Sequence, residues 1–195
     1  MTTMCSNKDD EPKKEMGSIP AEVAMERTMD LFSQDDAPIA PRDARPRTSV
    51  LPMDRTVYIH TGCVCHGNPG PGGWGAVMIY QGRERQLLGH ESRTTSNRME
   101  MTALIQALKA LKRPCRVEVV THSQYLERGG STWLPEWPGE HRREDLANLD
   151  LWDVLSEITA VHQIRWRWVS KDVPLRGMQC AKGLARDAAA SARST

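Results

Sequence analysis

The sequence predicts an α/β domain: a mixed sheet with helices on its faces, behind a polar N-terminal tail. Three observations carry this. Composition changes near residue 52, where charged, Pro and Ser residues give way to regular apolar patterns. The stretch from Arg55 to Glu91 then reads as three β-rich runs separated by turn residues. Beyond it, helical and strand periodicities alternate, which is the pattern of a sheet covered by helices.

The 195 residues suffice for one domain of ordinary size plus a tail. Hydrophobic residues make up 39% and charged residues 26%, which fits a globular protein rather than a wholly unfolded one. Residues 1–52 are the exception: apolar side chains are too sparse to offset the entropy of ordering, so a disordered tail is expected there and the folded domain at 53–192. Within the tail, Ala21 to Phe32 places Val23, Met25, Met29, Leu31 and Phe32 where a short helix can form. It reads either as a transient helix or as a docking segment for a protein partner. Residues 1–50 hold seven Lys/Arg against ten Asp/Glu (net −3), and the remainder holds nineteen against fifteen (net +4). That basic excess is too small to establish a nucleic-acid partner, though a local patch would attract phosphates.

The elements follow in order. Val57 to Ile59 is a β-rich run and a buried strand. Asn68 to Gly73, NPGPGG, is dense in turn residues and reads as a loop. Trp74 to Tyr80 is a second strand and Arg85 to Glu91 a third, with Gln81-Gly82 as a hairpin connection. Asn97 to Lys112 is a helix, because Met101, Leu104, Ile105, Leu108 and Leu111 recur at i, i+3, i+4, i+7; Asn97 suits its N-cap and Pro114 closes it. Val117 to Val120 is a short buried strand. Helices follow at Ser123 to Glu127 and Asp150 to Ala160, a strand at Gln163 to Val169, and an Ala-rich helix at Gly177 to Ala190. Trp152, Trp166 and Trp168 read as core.

No apolar run approaches the roughly 20 residues of a membrane span, so no membrane partner is expected. The N-terminus has neither signal-peptide nor transit-peptide layout. Five scattered cysteines (5, 63, 65, 115 and 180) fit reduced thiols better than a disulfide framework, which places the expected location inside the cell.

Five blocks make the pattern specific: "HGNPGPGGWGAVM", "RTTSNRMEMTALIQALKAL", "VVTHSQYL", "NLDLWDVL" and "HQIRWRWV". In this order and at these spacings they resemble type 1 ribonuclease H, over about residues 55–190. The resemblance implies a ribonuclease H-like fold: a five-stranded mixed sheet, its first three strands antiparallel, with helices on both faces. It also implies a nuclease that cuts the RNA strand of RNA/DNA hybrids with two Mg²⁺ ions. Such a site needs several converging carboxylates, since Mg²⁺ takes oxygen ligands in near-octahedral geometry and two close divalent ions repel.

Mapped onto this chain, the family's four acids fall at Gly62, Glu100, His122 and either Ala181 or Lys182. Only Glu100 is acidic. Gly62 offers only backbone, and imidazole suits Mg²⁺ poorly. The family's mobile-loop His falls near Asp172. Sequence therefore predicts a degenerate enzyme with no expected cofactor, or Mg²⁺ or Mn²⁺ if activity remains. Glu100 and Asp172 offer at most a weak one-metal site, and His122, Glu100 and a cysteine a softer one. Lys182 is expected to approach Glu100 as a fixed cation in place of a metal.

The resemblance implies that the binding side is better kept. Asn68, Ser96, Asn97 and Gln124 match the groove that reads sugar and base edges, where short amides both donate and accept. Arg93 and Thr95 match the phosphate pocket of the DNA strand. Trp133 and Trp137 match a substrate-handling segment, with core packing as the plain alternative. The Lys-rich protrusion of the family is replaced by PGEHRREDLAN, which weakens the expected grip on phosphates. Three readings stay open: a non-cleaving binder of RNA/DNA hybrid or duplex RNA; a protein–protein module on the old scaffold, with the tail or the altered face as its contact; and an active hybrid nuclease with rearranged ligands.

Overall fold

The computed structural model describes residues 55–135 and 146–192. The expected tail, the Ala21 to Phe32 segment, Trp137 and the Arg142-Arg143 stretch lie outside them. The described chain forms β1 (Thr56–Cys65), β2 (Gly70–Tyr80), β3 (Arg83–Thr94), α1 (Ser96–Lys109), β4 (Arg116–Thr121), α2 (Gln124–Arg128), α3 (Leu149–Thr159), β5 (Gln163–Trp168) and α4 (Arg176–Ser191). One sheet of order β3-β2-β1-β4-β5 joins the strands. β1, β2 and β3 pair antiparallel, whereas β4 lies parallel to β1 and β5 parallel to β4. This is the mixed sheet that the sequence predicts.

The two faces differ. Side chains alternate along a strand, so one residue set of β2 meets α1 and the other meets α4. Trp74, Ala76 and Met78 join the main core with Val57, Ile59, Leu104 and Trp152. Val77 instead packs with Ala181 and Leu184 of α4. That second layer is thin because glycines bring helix and sheet backbones together. A Cβ on Gly73 would collide with Ala185 and Ala189, and one on Gly75 with Ala181 and Leu184. Here the sequence expectation needs correction. The NPGPGG stretch is not a loop throughout: β2 already begins at Gly70, and while Gly70 still packs on the turn at His66, Gly73 serves the close approach of α4.

Smaller differences also have local causes. Helix α1 is capped by Thr95, whose side chain accepts from the Arg98 amide, and not by Asn97. After α2 the chain makes a π-helical turn, Gly129–Trp133, that the sequence pattern does not reveal. Its two glycines lie under the Trp152 and Trp166 rings, where any Cβ would clash. Trp168 is not core: it is 43% exposed, and its Nε1 donates to the His122 carbonyl at 3.1 Å. The four described cysteines are all free thiols. Among the described residues, no helix is long and apolar enough to cross a membrane.

Candidate functional site

β4 runs parallel to β1 and stops at Thr121 while β1 continues to Cys65, so His122 lies level with Thr61-Gly62-Cys63 where β4 gives out. The second turn of α1 brings Glu100 over that place, and the β5–α4 connection and α4 close the far side. The result is a cleft of about 400 Å³. It gathers Gly62, Ser96, Asn97, Glu100, His122, Asp172 and Lys182 of the residues expected from sequence.

Glu100 lies at the bottom, with only 7% of its surface exposed. Alternation on β1 points Thr61 and Cys63 to its side and Gly62 to the other. Burial pushes the Glu100 carboxyl above the ordinary carboxylate range, while the Thr61 hydroxyl, the His122 charge, the Cys63 thiol and the Lys171 ammonium pull against that shift. The pull from Thr61 is one of proximity: neither Thr61 Oγ1 nor Glu100 Oε2 has a well-formed hydrogen bond. Burial, and then the neighbouring Glu100 charge, raise the Cys63 thiol to about 12.

Gly62 is covered by α4. A Cβ placed there would sit 2.7 Å from the Lys182 amide nitrogen and 2.9 Å from the Ala181 carbonyl carbon. Ala181 itself is fully buried under the sheet and does not line the cleft. His122 is held by a 2.8 Å contact between Nδ1 and the Val169 carbonyl. Since a carbonyl only accepts, Nδ1 carries a proton and donates it to Val169. The Asp172 carboxylate accepts from Ser170 Oγ at 3.0 Å on the exposed rim.

This donor set does not fit a Mg²⁺ pair. Among the described residues, Glu100 and Asp172 are the only carboxylates on the cleft, and the space where a third would start is filled by helix backbone. Among the described residues, no three His, Cys, Asp or Glu side chains converge as a metal site. Lys182 lines the same cleft as Glu100, but the cationic pull on the carboxyl comes chiefly from His122 and Lys171. Lys171 and Thr61 are the residues that sequence reasoning missed. The signal for Lys171 was a cation beside Asp172, in the very connection where the resemblance calls for a mobile-loop His.

The expected binding residues scatter more widely. Asn68 is exposed in the turn before β2, Arg93 is exposed at the end of β3, and Gln124 opens α2 facing solvent; none of the three lines the cleft. The Thr95 hydroxyl is engaged as the α1 cap. Trp133 packs edge-on to Tyr125 at 5.5 Å and to Trp152 at 5.7 Å, as a wall of the core.

The sequence model of the ribonuclease H family matches residues 54–190. The chain belongs to the ribonuclease H family. It is 49% identical over 140 residues to the Ribonuclease H of Nitrosococcus oceani, covering 70% of this chain and 95% of that one. It is 45% identical over 142 residues to that of Cupriavidus pinatubonensis, covering 71% and 98%. Among solved structures it resembles LC9-RNase H1, described as a type 1 RNase H with the type 2 active-site motif, at 29% identity and TM-score 0.62 over 73% of this chain and 75% of that one. The N-terminal RNase H domain of a Mycobacterium tuberculosis protein, solved as a maltose-binding-protein fusion, matches at 25% identity and TM-score 0.55, over 72% and 98%.

Proposed function

We propose that this ribonuclease H-family protein binds RNA/DNA hybrid or duplex RNA by shape, without efficient metal-dependent cleavage. The observation that carries the reading is the closed ground at Gly62. The position lacks a carboxylate, and α4 leaves no room for one. His122 and Lys182 then stand where the resemblance calls for two more acids. The binding side supports recognition: Asn68, Ser96, Asn97, Arg93 and Gln124 are all exposed. Amides and a guanidinium suit 2′-hydroxyls, base edges and phosphates.

The test is a labelled RNA/DNA hybrid followed for binding and for cleavage in Mg²⁺, Mn²⁺ and EDTA. Salt-dependent binding without turnover is expected. A second reading has its own support, because relatives 45–49% identical carry the name Ribonuclease H. In that reading Glu100 and Asp172 carry an active hybrid nuclease. Multiple-turnover cleavage that requires a divalent ion and disappears in Glu100→Gln would establish it in place of the first.

A further inference from the structure

Two lysines line the cleft, Lys171 from the β5–α4 connection and Lys182 from α4. Both side chains are exposed, and among the described residues neither joins an ion pair. The lysines thus bring two positive charges to a cleft whose only carboxylates, among the described residues, are Glu100 and Asp172. A site built from four acids repels a phosphate until divalent ions enter. This cleft carries as many cations as acids by its own covalent structure, so a phosphate can approach without a metal.

Other groups suit the same ligand. Ser96 and Asn97, at the first turn of the 14-residue α1, open on the cleft, and no acid occupies that turn. The positive end of the helix macrodipole therefore faces the space between the lysines and the sheet. The acids are placed to interfere least: Glu100 is buried beneath the cleft, and Asp172 sits on the rim bonded to Ser170.

We propose that the cleft seats one backbone phosphate of the bound nucleic acid directly on Lys171 and Lys182, with no divalent ion between them. The proposal rests on the nucleic-acid-binding reading above and gives it a contact point. Fixed ammonium groups hold the strand where two metals would otherwise hold it, and the position becomes an anchor rather than a reaction centre.

The experiment has two arms. In the first, hybrid binding by the full chain is measured by fluorescence anisotropy in EDTA and in Mg²⁺, across a salt series. The seat predicts affinities within about twofold in the two conditions, because no ion is needed. Lys171→Gln/Lys182→Gln should weaken binding in EDTA roughly tenfold or more, as expected for lost charge-assisted contacts. It should also flatten the salt dependence by roughly one in slope per lysine removed. Lys171→Arg/Lys182→Arg should restore most of the affinity, and thermal melts of both variants should match wild type because both side chains are exposed.

In the second arm, inorganic phosphate is titrated while the Lys171, Lys182 and His122 resonances are followed by NMR. Shifts at these residues that are lost in the glutamine variant support the seat. Hybrid binding that requires Mg²⁺, or a glutamine variant with unchanged affinity and salt slope, overturns it. Shifts with phosphate but no hybrid binding under any condition would leave the seat standing, for a free phosphate, and overturn the nucleic-acid reading. Hybrid binding without any effect on the lysines would do the reverse.

Discussion

Restoring the missing acid is the sharpest perturbation of this structure. Gly62 has ordinary strand geometry, so Gly62→Ala would by itself stabilise the chain by about 0.4–1 kcal/mol through the unfolded state. The native state decides otherwise. The added Cβ would meet the Lys182 amide nitrogen at 2.7 Å and the Lys182 Cα at 3.0 Å, and these are backbone atoms of a helix that cannot rotate away. Relieving the contact requires α4 to lift, and overpacking of this kind costs roughly 1–3 kcal/mol. The net expectation for Gly62→Ala is a loss of about 1–2 kcal/mol. For a domain of this size each kcal/mol shifts the melting temperature by about 4 °C, so the melt should fall by roughly 4–8 °C. Gly62→Asp adds a carboxylate wedged between sheet and helix, which costs a few further kcal/mol unless it is paired, so its melt should fall by more than about 10 °C. Differential scanning calorimetry of wild type, Gly62→Ala and Gly62→Asp, with a hybrid-cleavage assay on each, measures both sides. A Gly62→Ala protein as stable as wild type would refute the close approach of α4. A Gly62→Asp protein that stays folded and gains Mg²⁺-dependent turnover would refute the closed site.

Other outcomes follow from single groups. The raised Glu100 carboxyl means that the folded state binds its proton more tightly than the unfolded state does. Stability should therefore decline as pH rises from the unfolded carboxyl value, about 4.3, to the folded one, so Glu100→Gln should gain on wild type through that window; parallel melting curves from pH 4 to 8 would contradict this. With its thiol near 12, Cys63 should be thiolate in only roughly one molecule in ten thousand at pH 8, and iodoacetamide should spare it, as peptide mass spectrometry would report; rapid labelling of Cys63 in the folded protein would count against that environment. Tyr125→Phe removes the hydroxyl that accepts from Trp152 Nε1 at 2.8 Å and donates to the Ala147 carbonyl, so urea unfolding should show a loss of about 1–3 kcal/mol; a change below about 0.5 kcal/mol would show that these bonds are not made.

Much of the fold was legible because its signals were periodic. The apolar repeat of Met101, Leu104, Ile105 and Leu108 located α1, and β-rich runs located every strand of the sheet. What stayed hidden depended on contacts between distant segments. Gly73 sits in a stretch with the composition of a turn, and only the position of α4 shows why the strand needs it and Gly75. The side-chain cap at Thr95 competed with an equally suitable Asn97, and sequence had no means to rank them. The cleft was half legible. Glu100, His122 and Lys182 were found from their places in the pattern, whereas Lys171 sits in a connection whose fold places it beside Glu100, and no periodicity reports that. The role of Gly62 was read as a missing side chain, and the structure adds that the vacated volume belongs to a neighbour.

The connection between α2 and α3 is fastened at both ends. On one side, the Leu134 amide bonds to the Gly129 carbonyl at 2.9 Å, and Trp133 rests against Trp152. On the other, Asn148 adopts a left-handed conformation at φ 62°, with Tyr125 and Arg98 as side-chain partners. Both moorings meet at Tyr125, whose ring packs against Trp133 and whose hydroxyl accepts from Asn148 Nδ2. One side chain thus sets the angle at which the chain leaves α2 and the angle at which it enters α3, and its loss would loosen both together.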